Sequence, residues 1–143
     1  MSAYFSYSTT RDAALLALRP SIAGIPIATP AQTVGEFLHL ALRPILKLQN
    51  ELLLQTVADF IQDHHIPLAA QSLVEKQNTV AELLTRNTKL RYTVIGLVLA
   101  MFTSTEMAFY RQHRPELNRR LLELATRRVQ DQTDILGAET STL

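Results

Sequence analysis

Few ionisable side chains in this chain have a spacing that could support chemistry. Glu36 and His39 form a Glu-x-x-His pair, which places a carboxylate and an imidazole on one helix face. Ferritin-like di-iron bundles use two such motifs with glutamates from two further helices, and here there is one motif. Asp59 and Asp63 lie four residues apart and could chelate a cation, but this spacing is also typical of a solvated face. We therefore predict no metal site, with Glu36 facing solvent.

The other histidines offer no better catalytic arrangement. Glu106 and His113 lie seven residues apart on one helical face but do not repeat the Glu-x-x-His motif. His64 and His65 stand where a helix should end, so we predict that they act as a helix cap. The sequence has no nucleophile elbow and no phosphate-binding glycine loop. We predict a non-enzymatic protein without a cofactor, and keep a metal-binding helical-bundle enzyme as a remote alternative.

Basic side chains are concentrated in residues 86–128, which carry nine basic and three acidic residues, a net charge of +6. Glu116 lies four residues before Arg120, an arrangement typical of a salt-bridged solvent face. A basic regulator that binds DNA or RNA through Arg111–Arg128 is therefore an alternative hypothesis, and not the favoured one. The candidate residues for binding a polyanion are Arg111, Arg114, Arg119 and Arg120.

An uncharged run from Tyr92 to Thr105 dominates the apolar pattern of the chain. Because a membrane-spanning helix needs about 20 apolar residues, the run is too short to cross a bilayer. Its apolar residues occupy all faces of a helix, so the helix must be enclosed by its own chain or by a partner. We predict a third helix from Lys89 to His113 that is central and the most buried.

A second copy of the chain is the partner that we expect on this helix. Gly96 and Ala100 form a pair of small residues four apart, which lets another backbone approach closely. A homodimer with two-fold symmetry would complete the enclosure that a small bundle supplies only in part. The candidate interface residues are Gly96, Leu97, Val98 and Ala100.

The remaining elements are also predicted to be helices. Thr29, Pro30 and Gln32 resemble a capped helix start, and an apolar stripe follows from there to Ile61. Pro44 interrupts this stripe, so we predict a kink or short break near residues 40–43. A second helix is expected over residues 67–87, and a last one from Pro115, because proline disfavours helical backbone in the residue before it.

Length and composition agree with one all-α domain. The chain has 143 residues, 47% of them hydrophobic, with 4 glycines, 6 prolines and no cysteine. We predict a four-helix bundle-like domain over residues 29–136, preceded by a loosely ordered arm over residues 1–28. Gly137 should stop the last helix and leave residues 137–143 as a disordered tail.

No secretory signal is visible at the start of the sequence, so we expect a cytoplasmic location. Taken together, the patterns favour a helical adaptor or regulatory protein that self-associates and acts through protein–protein contacts. We expect a homodimer, and another protein partner is compatible with the same surface.

Overall fold

In a computed structural model of the protein, which describes residues 2–20 and 30–142, the chain is helical and no described residue lies in a strand. Side chains are described for residues 10–20 and 30–137. The α-helices are α1 (Ser2–Leu18), α2 (Val34–Phe37), α3 (Arg43–Leu48), α4 (Asn50–Asp63), α5 (Leu73–Arg86), α6 (Thr88–Leu99), α7 (Ser104–Gln112), α8 (Arg114–Gln130) and α9 (Thr133–Thr142). A π-helix joins α2 to α3 over Leu38–Leu42, and a 3₁₀ turn over Leu68–Ala70 precedes α5.

The chain divides into two compact units, each built from separate stretches of sequence. The first unit comprises Met1–Gln49 and Val98–Leu121, and the second comprises Asn50–Leu97 and Leu122–Leu143. The all-α class predicted from the sequence is confirmed for the described residues.

An aromatic cluster forms part of the core of the first unit. The ring of Phe37 stacks on that of Phe109 at 5.0 Å between centroids and meets the edge of Phe102 at 5.4 Å. Tyr110 lies 5.7 Å from Phe102 and donates a hydrogen bond to Asn118 at 2.7 Å. Such pairs stabilise a core beyond their buried area, and a buried tyrosine hydroxyl needs a partner of this kind.

The second unit is assembled around α4, which buries six of its residues, and α9 packs against it. Asn50 and Gln132 exchange two side-chain hydrogen bonds, at 2.8 and 2.9 Å. Gln77 and Gln130 each donate to the other's backbone carbonyl, at 3.4 and 2.9 Å. These half-buried amide pairs join α5 to the end of α8 and the start of α4 to the residues just after α8, because leaving such amides unpaired would be costly.

The first predicted helix begins later than the sequence pattern indicated. Thr33 is its N-cap and accepts a hydrogen bond from the Glu36 amide at 3.1 Å, whereas Pro30 is not helical. The prediction that Pro30 occupies the first helical position is therefore wrong. Thr29, the predicted cap, lies outside the described residues. The Glu36 carboxylate also accepts a hydrogen bond from the Gln32 amide, at 3.1 Å, which further stabilises the start of the helix at this point.

The region before Pro44 departs from regular α geometry. The π-helix over Leu38–Leu42 ends two residues before this proline, and the Arg43 amide bonds to the Leu38 carbonyl five residues back. Proline lacks an amide donor and its ring crowds the preceding turn, which favours a wider turn at this point. The kink itself stays a prediction.

The single helix predicted over Lys89–His113 is wrong, because the structure has two helices there, α6 and α7, separated at residues 100–103. Thr103 caps α7: it accepts a bond from the Glu106 amide, while the Glu106 carboxylate accepts from the Thr103 amide. This capping box starts a new helix inside the uncharged run. Nor is α6 the most enclosed helix, since α4 buries six of its 14 residues and α6 buries four of its 12.

Other helix limits agree with the sequence in part. A helix boundary lies close to Pro115, since α7 ends at Gln112 and α8 starts at Arg114, but Arg114, the residue before the proline, is itself helical. The second predicted helix begins at Leu73, later than expected, because Ser72 and Glu75 form another capping box.

The two ends of the chain are more helical than the sequence indicated. The helix α1 starts at Ser2, where an arm was expected, and α9 continues through Gly137, where a helix end was expected. Over the described parts of the chain, no helix has both the length and the apolar character needed to cross a membrane.

Candidate functional site

Charged side chains of α1 bind the turn between α6 and α7. Arg11 donates to the Phe102 carbonyl at 2.7 Å and to the Ala100 carbonyl at 2.8 Å. Asp12 accepts from the Ser104 amide at 2.9 Å. The start of a helix leaves amide groups without intrahelical partners, and Asp12 supplies one for Ser104, while Arg11 binds carbonyls of the turn itself. We call residues 100–106, which include the first three residues of α7, the α6–α7 turn.

The strongest contact of this group is an ion pair between Arg19 and Glu106. Arg19 Nη1 donates to Glu106 Oε2 at 2.6 Å, Nη2 donates to Oε1, and Nη2 also donates to the Met101 carbonyl at 3.0 Å. The side chain of Arg19 is 1% exposed and that of Glu106 is 16% exposed. A bidentate arginine–carboxylate pair satisfies both charges at once, which such burial requires.

A cavity of about 240 Å³ lies beside this network in the first unit. Leu16, Phe37, Leu40 and Phe109 supply most of its apolar wall, and Asp12, Thr103 and Glu106 supply polar atoms. Both Asp12 and Leu16 belong to α1, so α1 forms one wall of the cavity. Apolar cavities with a few polar groups are the usual form of a small-molecule site, although most are larger.

The histidines at the end of α4 build a helix C-terminus. His65 has a positive φ of 53°, and the His65 and Ile66 amides bond back to the Gln62 and Ile61 carbonyls, both at 3.1 Å. This is a Schellman motif with histidine where glycine is usual. His64 Nδ1 donates to the Phe60 carbonyl at 2.9 Å and its ring stacks on Phe60.

The structure does not gather the predicted metal-ligating residues into one site. Glu36 accepts a hydrogen bond at its helix start, and Asp59 and Asp63 are exposed along α4. Glu106 binds Arg19 and not His113, whose ring lies 4.5 Å from that of Phe109. Among the described residues, no three His, Asp or Glu side chains lie close enough together to hold a metal ion.

The arginines proposed for binding a polyanion are unequal in exposure. Arg111 and Arg114 are exposed, and the guanidinium of Arg114 lies 5.6 Å from the centre of the Tyr110 ring, a cation–π distance. Arg119 is exposed and Arg120 is half-buried. All four lie on α7 and α8 within the first unit.

The candidate interface residues occupy different environments. Gly96 is exposed in α6, and a methyl group added at its Cα would meet nothing within 4 Å. Val98 is 1% exposed and packs inside its own chain, so it offers no surface to a partner. Ala100 follows the end of α6 and its carbonyl accepts from Arg11. Leu97 is half-buried.

The Arg19–Glu106 pair and the capping boxes at Ser72 and Thr103 were not predicted from the sequence. The boxes had a local signal, because Thr103-Ser-Thr-Glu106 and Ser72-Leu-Val-Glu75 both match the Ser/Thr-x-x-Glu pattern. The ion pair had none, because Arg19 and Glu106 are 87 residues apart.

Comparison of the chain with protein-family models, with curated proteins and with solved structures gave no match.

Proposed function

We propose that this protein is a non-enzymatic helical adaptor or regulator that self-associates through the exposed face of α6. The observation that carries the proposal is the pairing of Tyr92 and Gly96 on that face. Tyr92 is 66% exposed, and Gly96, one turn later on the same side, has open space above its Cα. The Tyr92 side chain projects from this face of α6, and Gly96 leaves a depression beside it because it has no side chain.

Two-fold symmetry makes such a surface complementary to itself. In a two-fold dimer the same patch is used on both copies, so Tyr92 of one copy would cover Gly96 of the other. Glycine lets the partner's ring approach the helix backbone closely, and tyrosine contributes apolar area at little cost in side-chain entropy. Val98 lies outside the proposed contact because its own chain already covers it.

Light scattering during size-exclusion chromatography tests the proposal. One chain has a mass of 16.1 kDa, and we expect the wild type at micromolar concentration to elute at about twice that mass. Gly96→Gln should return the protein to the mass of one chain, because the longer side chain fills the depression. Gly35→Gln is the matched control, since Gly35 is also an exposed helical glycine and its added Cβ would meet only Thr33 Oγ1, at 3.9 Å.

A wild type that elutes as a single chain at all concentrations would contradict self-association. Loss of association in the Gly35 variant as well would show that α6 is not the surface.

Exposed Arg111 and Arg114 favour a second candidate, binding of DNA or RNA. If it holds, a polyanion column should retain the protein at low salt, with retention falling steeply as salt rises because bound counterions are released. Arg111→Gln with Arg114→Gln should remove the retention. Passage of the wild type through the column at low salt would eliminate this candidate.

Two finer features belong to the same proposal. The helices would assemble as a four-helix bundle with its first helix kinked near Pro44, which the π-helix over Leu38–Leu42 supports. The protein would act in the cytoplasm, as the sequence predicts.

A further inference from the structure

The cavity of the first unit lies beside the π-helix over Leu38–Leu42. Leu40 and Ala41 of this segment line it, and Phe37, directly before the segment, forms part of the same wall with Phe109. Wide turns of this kind are frequent at functional sites. Leu40 and Phe109 are only half-buried, so apolar surface remains accessible on the folded unit. A ligand with an apolar body would gain free energy by covering this surface.

The polar part of the cavity wall consists of carboxylates and hydroxyls. Among the described residues that line the cavity, Asp12 and Glu106 are acidic, Thr103 and Thr105 carry hydroxyls, and none is basic. The charge of Glu106 is already balanced, because the guanidinium of Arg19 binds both of its carboxylate oxygens. A negatively charged ligand would be repelled by Asp12 and would meet no cation among these residues.

Asp12 keeps one carboxylate oxygen for a ligand. Its Oδ1 accepts from the Ser104 amide at 2.9 Å and from the Ser104 hydroxyl at 3.4 Å. Arg11 Nη1 lies 4.0 Å from the same oxygen, and both terminal nitrogens of Arg11 bind carbonyls of the α6–α7 turn. No donor among the described residues lies within hydrogen-bond distance of Oδ2. Since each carboxylate oxygen can accept two hydrogen bonds, Oδ2 is an acceptor that a ligand could use.

We propose that the cavity binds a small aromatic amine, with its ring against Phe37 and Phe109 and its ammonium group on Asp12. An ammonium supplies three donors and a positive charge, and it matches an unpaired carboxylate oxygen better than a neutral hydroxyl does. Because a cavity of about 150 Å³ holds benzene, one of about 240 Å³ admits a ligand of about ten heavy atoms. The proposal does not depend on self-association through α6, because every described residue of the wall belongs to the first unit.

Phenethylamine is the probe, because it joins one aromatic ring to an ammonium through two carbons. Titration of the full chain, followed by amide chemical shifts in NMR, should give a dissociation constant on the order of 1 mM, as expected for so small a ligand. The shifts should be largest in the π-helix and at the start of α7. Phenethyl alcohol should bind about fivefold more weakly, because a neutral hydrogen bond is weaker than a charge-assisted one. Phenylacetate, which carries a negative charge, should not bind.

Asp12→Asn tests the contact with the ammonium group. Asparagine keeps an oxygen that can accept from the Ser104 amide, so this bond of the fold is retained. The variant should bind phenethylamine about fivefold more weakly and phenethyl alcohol as well as the wild type does, because only the charge is removed. Asp59→Asn is the control and should bind both probes normally, since Asp59 is exposed on α4 and lies outside the first unit.

Leu40→Phe tests the location of the bound ring. The added ring should occupy part of the cavity and weaken binding of phenethylamine about tenfold, because two groups cannot share one closely packed volume. Leu38→Phe is the matched control: Leu38 is also a half-buried leucine of the π-helix, but it is not part of the cavity wall. This variant should bind as the wild type does.

The proposal is wrong if the wild type does not bind phenethylamine at concentrations up to about 10 mM, or if phenylacetate binds equally well. Equal binding of the amine by Leu40→Phe and Leu38→Phe would place the ligand outside the cavity. Equal affinity of the wild type and Asp12→Asn for the amine would eliminate the proposed contact with Asp12.

Discussion

At the scale of single residues, His65 is the position where the backbone is least suited to its side chain. Its φ of 53° lies in the left-handed region, where a Cβ approaches the following carbonyl oxygen too closely. The Schellman bonds from the His65 and Ile66 amides hold it there. The predicted capping role of His64 and His65 therefore has a specific form: His64 binds Phe60 through its ring, and His65 turns the backbone.

We expect His65→Gly to stabilise the protein by about 0.5–1 kcal/mol, because removal of the left-handed strain exceeds the entropy that glycine adds to the unfolded chain. Urea unfolding followed by circular dichroism would measure this free energy. His65→Ala is the matched control: it removes the imidazole but retains a Cβ, so it should give no gain. An equal gain in both variants would mean that the imidazole, and not the backbone, is the source of strain.

At the scale of elements, capping boxes decide where α5 and α7 begin. Ser72 with Glu75 and Thr103 with Glu106 show the same reciprocal bonds. The two boxes differ in one respect, since Glu106 also holds Arg19 and Glu75 is exposed. A comparison of the two capping boxes therefore separates the contribution of capping from that of the Arg19–Glu106 ion pair.

We expect Glu75→Gln to change the free energy of unfolding by no more than about 0.5 kcal/mol, since glutamine also completes a capping box. Glu106→Gln should cost about 2–3 kcal/mol, because it leaves the guanidinium of Arg19 buried without its counter-charge. The expected loss lies just below the range for fully buried pairs because Glu106 keeps 16% exposure. Similar losses in the two variants, measured by urea unfolding, would show that Arg19 and Glu106 contribute little beyond the cap.

The break between α6 and α7 follows from the same bonds. The Val98 and Leu99 carbonyls at the end of α6 accept from the Met101 and Phe102 amides, and Arg11 and Arg19 donate to the carbonyls of residues 100, 101 and 102 in the turn itself. The local capping box and the distant arginines thus favour the same turn.

At the scale of the whole molecule, α6 retains an exposed face after its own chain has folded. Leu90, Val94 and Ile95 are buried within the chain, whereas Tyr92, Thr93 and Gly96 are exposed. The sequence predicted that all faces of this helix must be enclosed, and in the structure only one face of α6 is left exposed to solvent.

If that face joins two copies, thermal stability should depend on concentration. The melting temperature of the wild type should rise when the protein concentration is raised about a hundredfold, because association favours the folded dimer by mass action. Gly96→Gln should melt at a temperature that does not change with concentration, and Gly35→Gln should behave as the wild type. Differential scanning fluorimetry over that range would measure both, and a wild-type midpoint independent of concentration would count against the dimer.

The sequence by itself was sufficient for what depends on near neighbours along the chain. Helical periodicity and composition predicted the all-α class. Pro115 indicated a helix start within one residue of the observed one, although Arg114 before it is also helical. The capping boxes at Ser72 and Thr103 were also readable, because their partners are three residues apart. The prediction of one continuous helix over the uncharged run was wrong because it followed the apolar side chains and left out the helix cap at Thr103.

Only the tertiary structure decided which distant groups meet. Arg19 and Glu106 are 87 residues apart, so no local spacing indicates that they form an ion pair or that α1 binds the α6–α7 turn. The cavity likewise joins residues of α1, the π-helix and α7, and its existence depends on how those elements pack. Propensities and caps act over a few residues, whereas burial and charge pairing act through space, and it is these that form the candidate site.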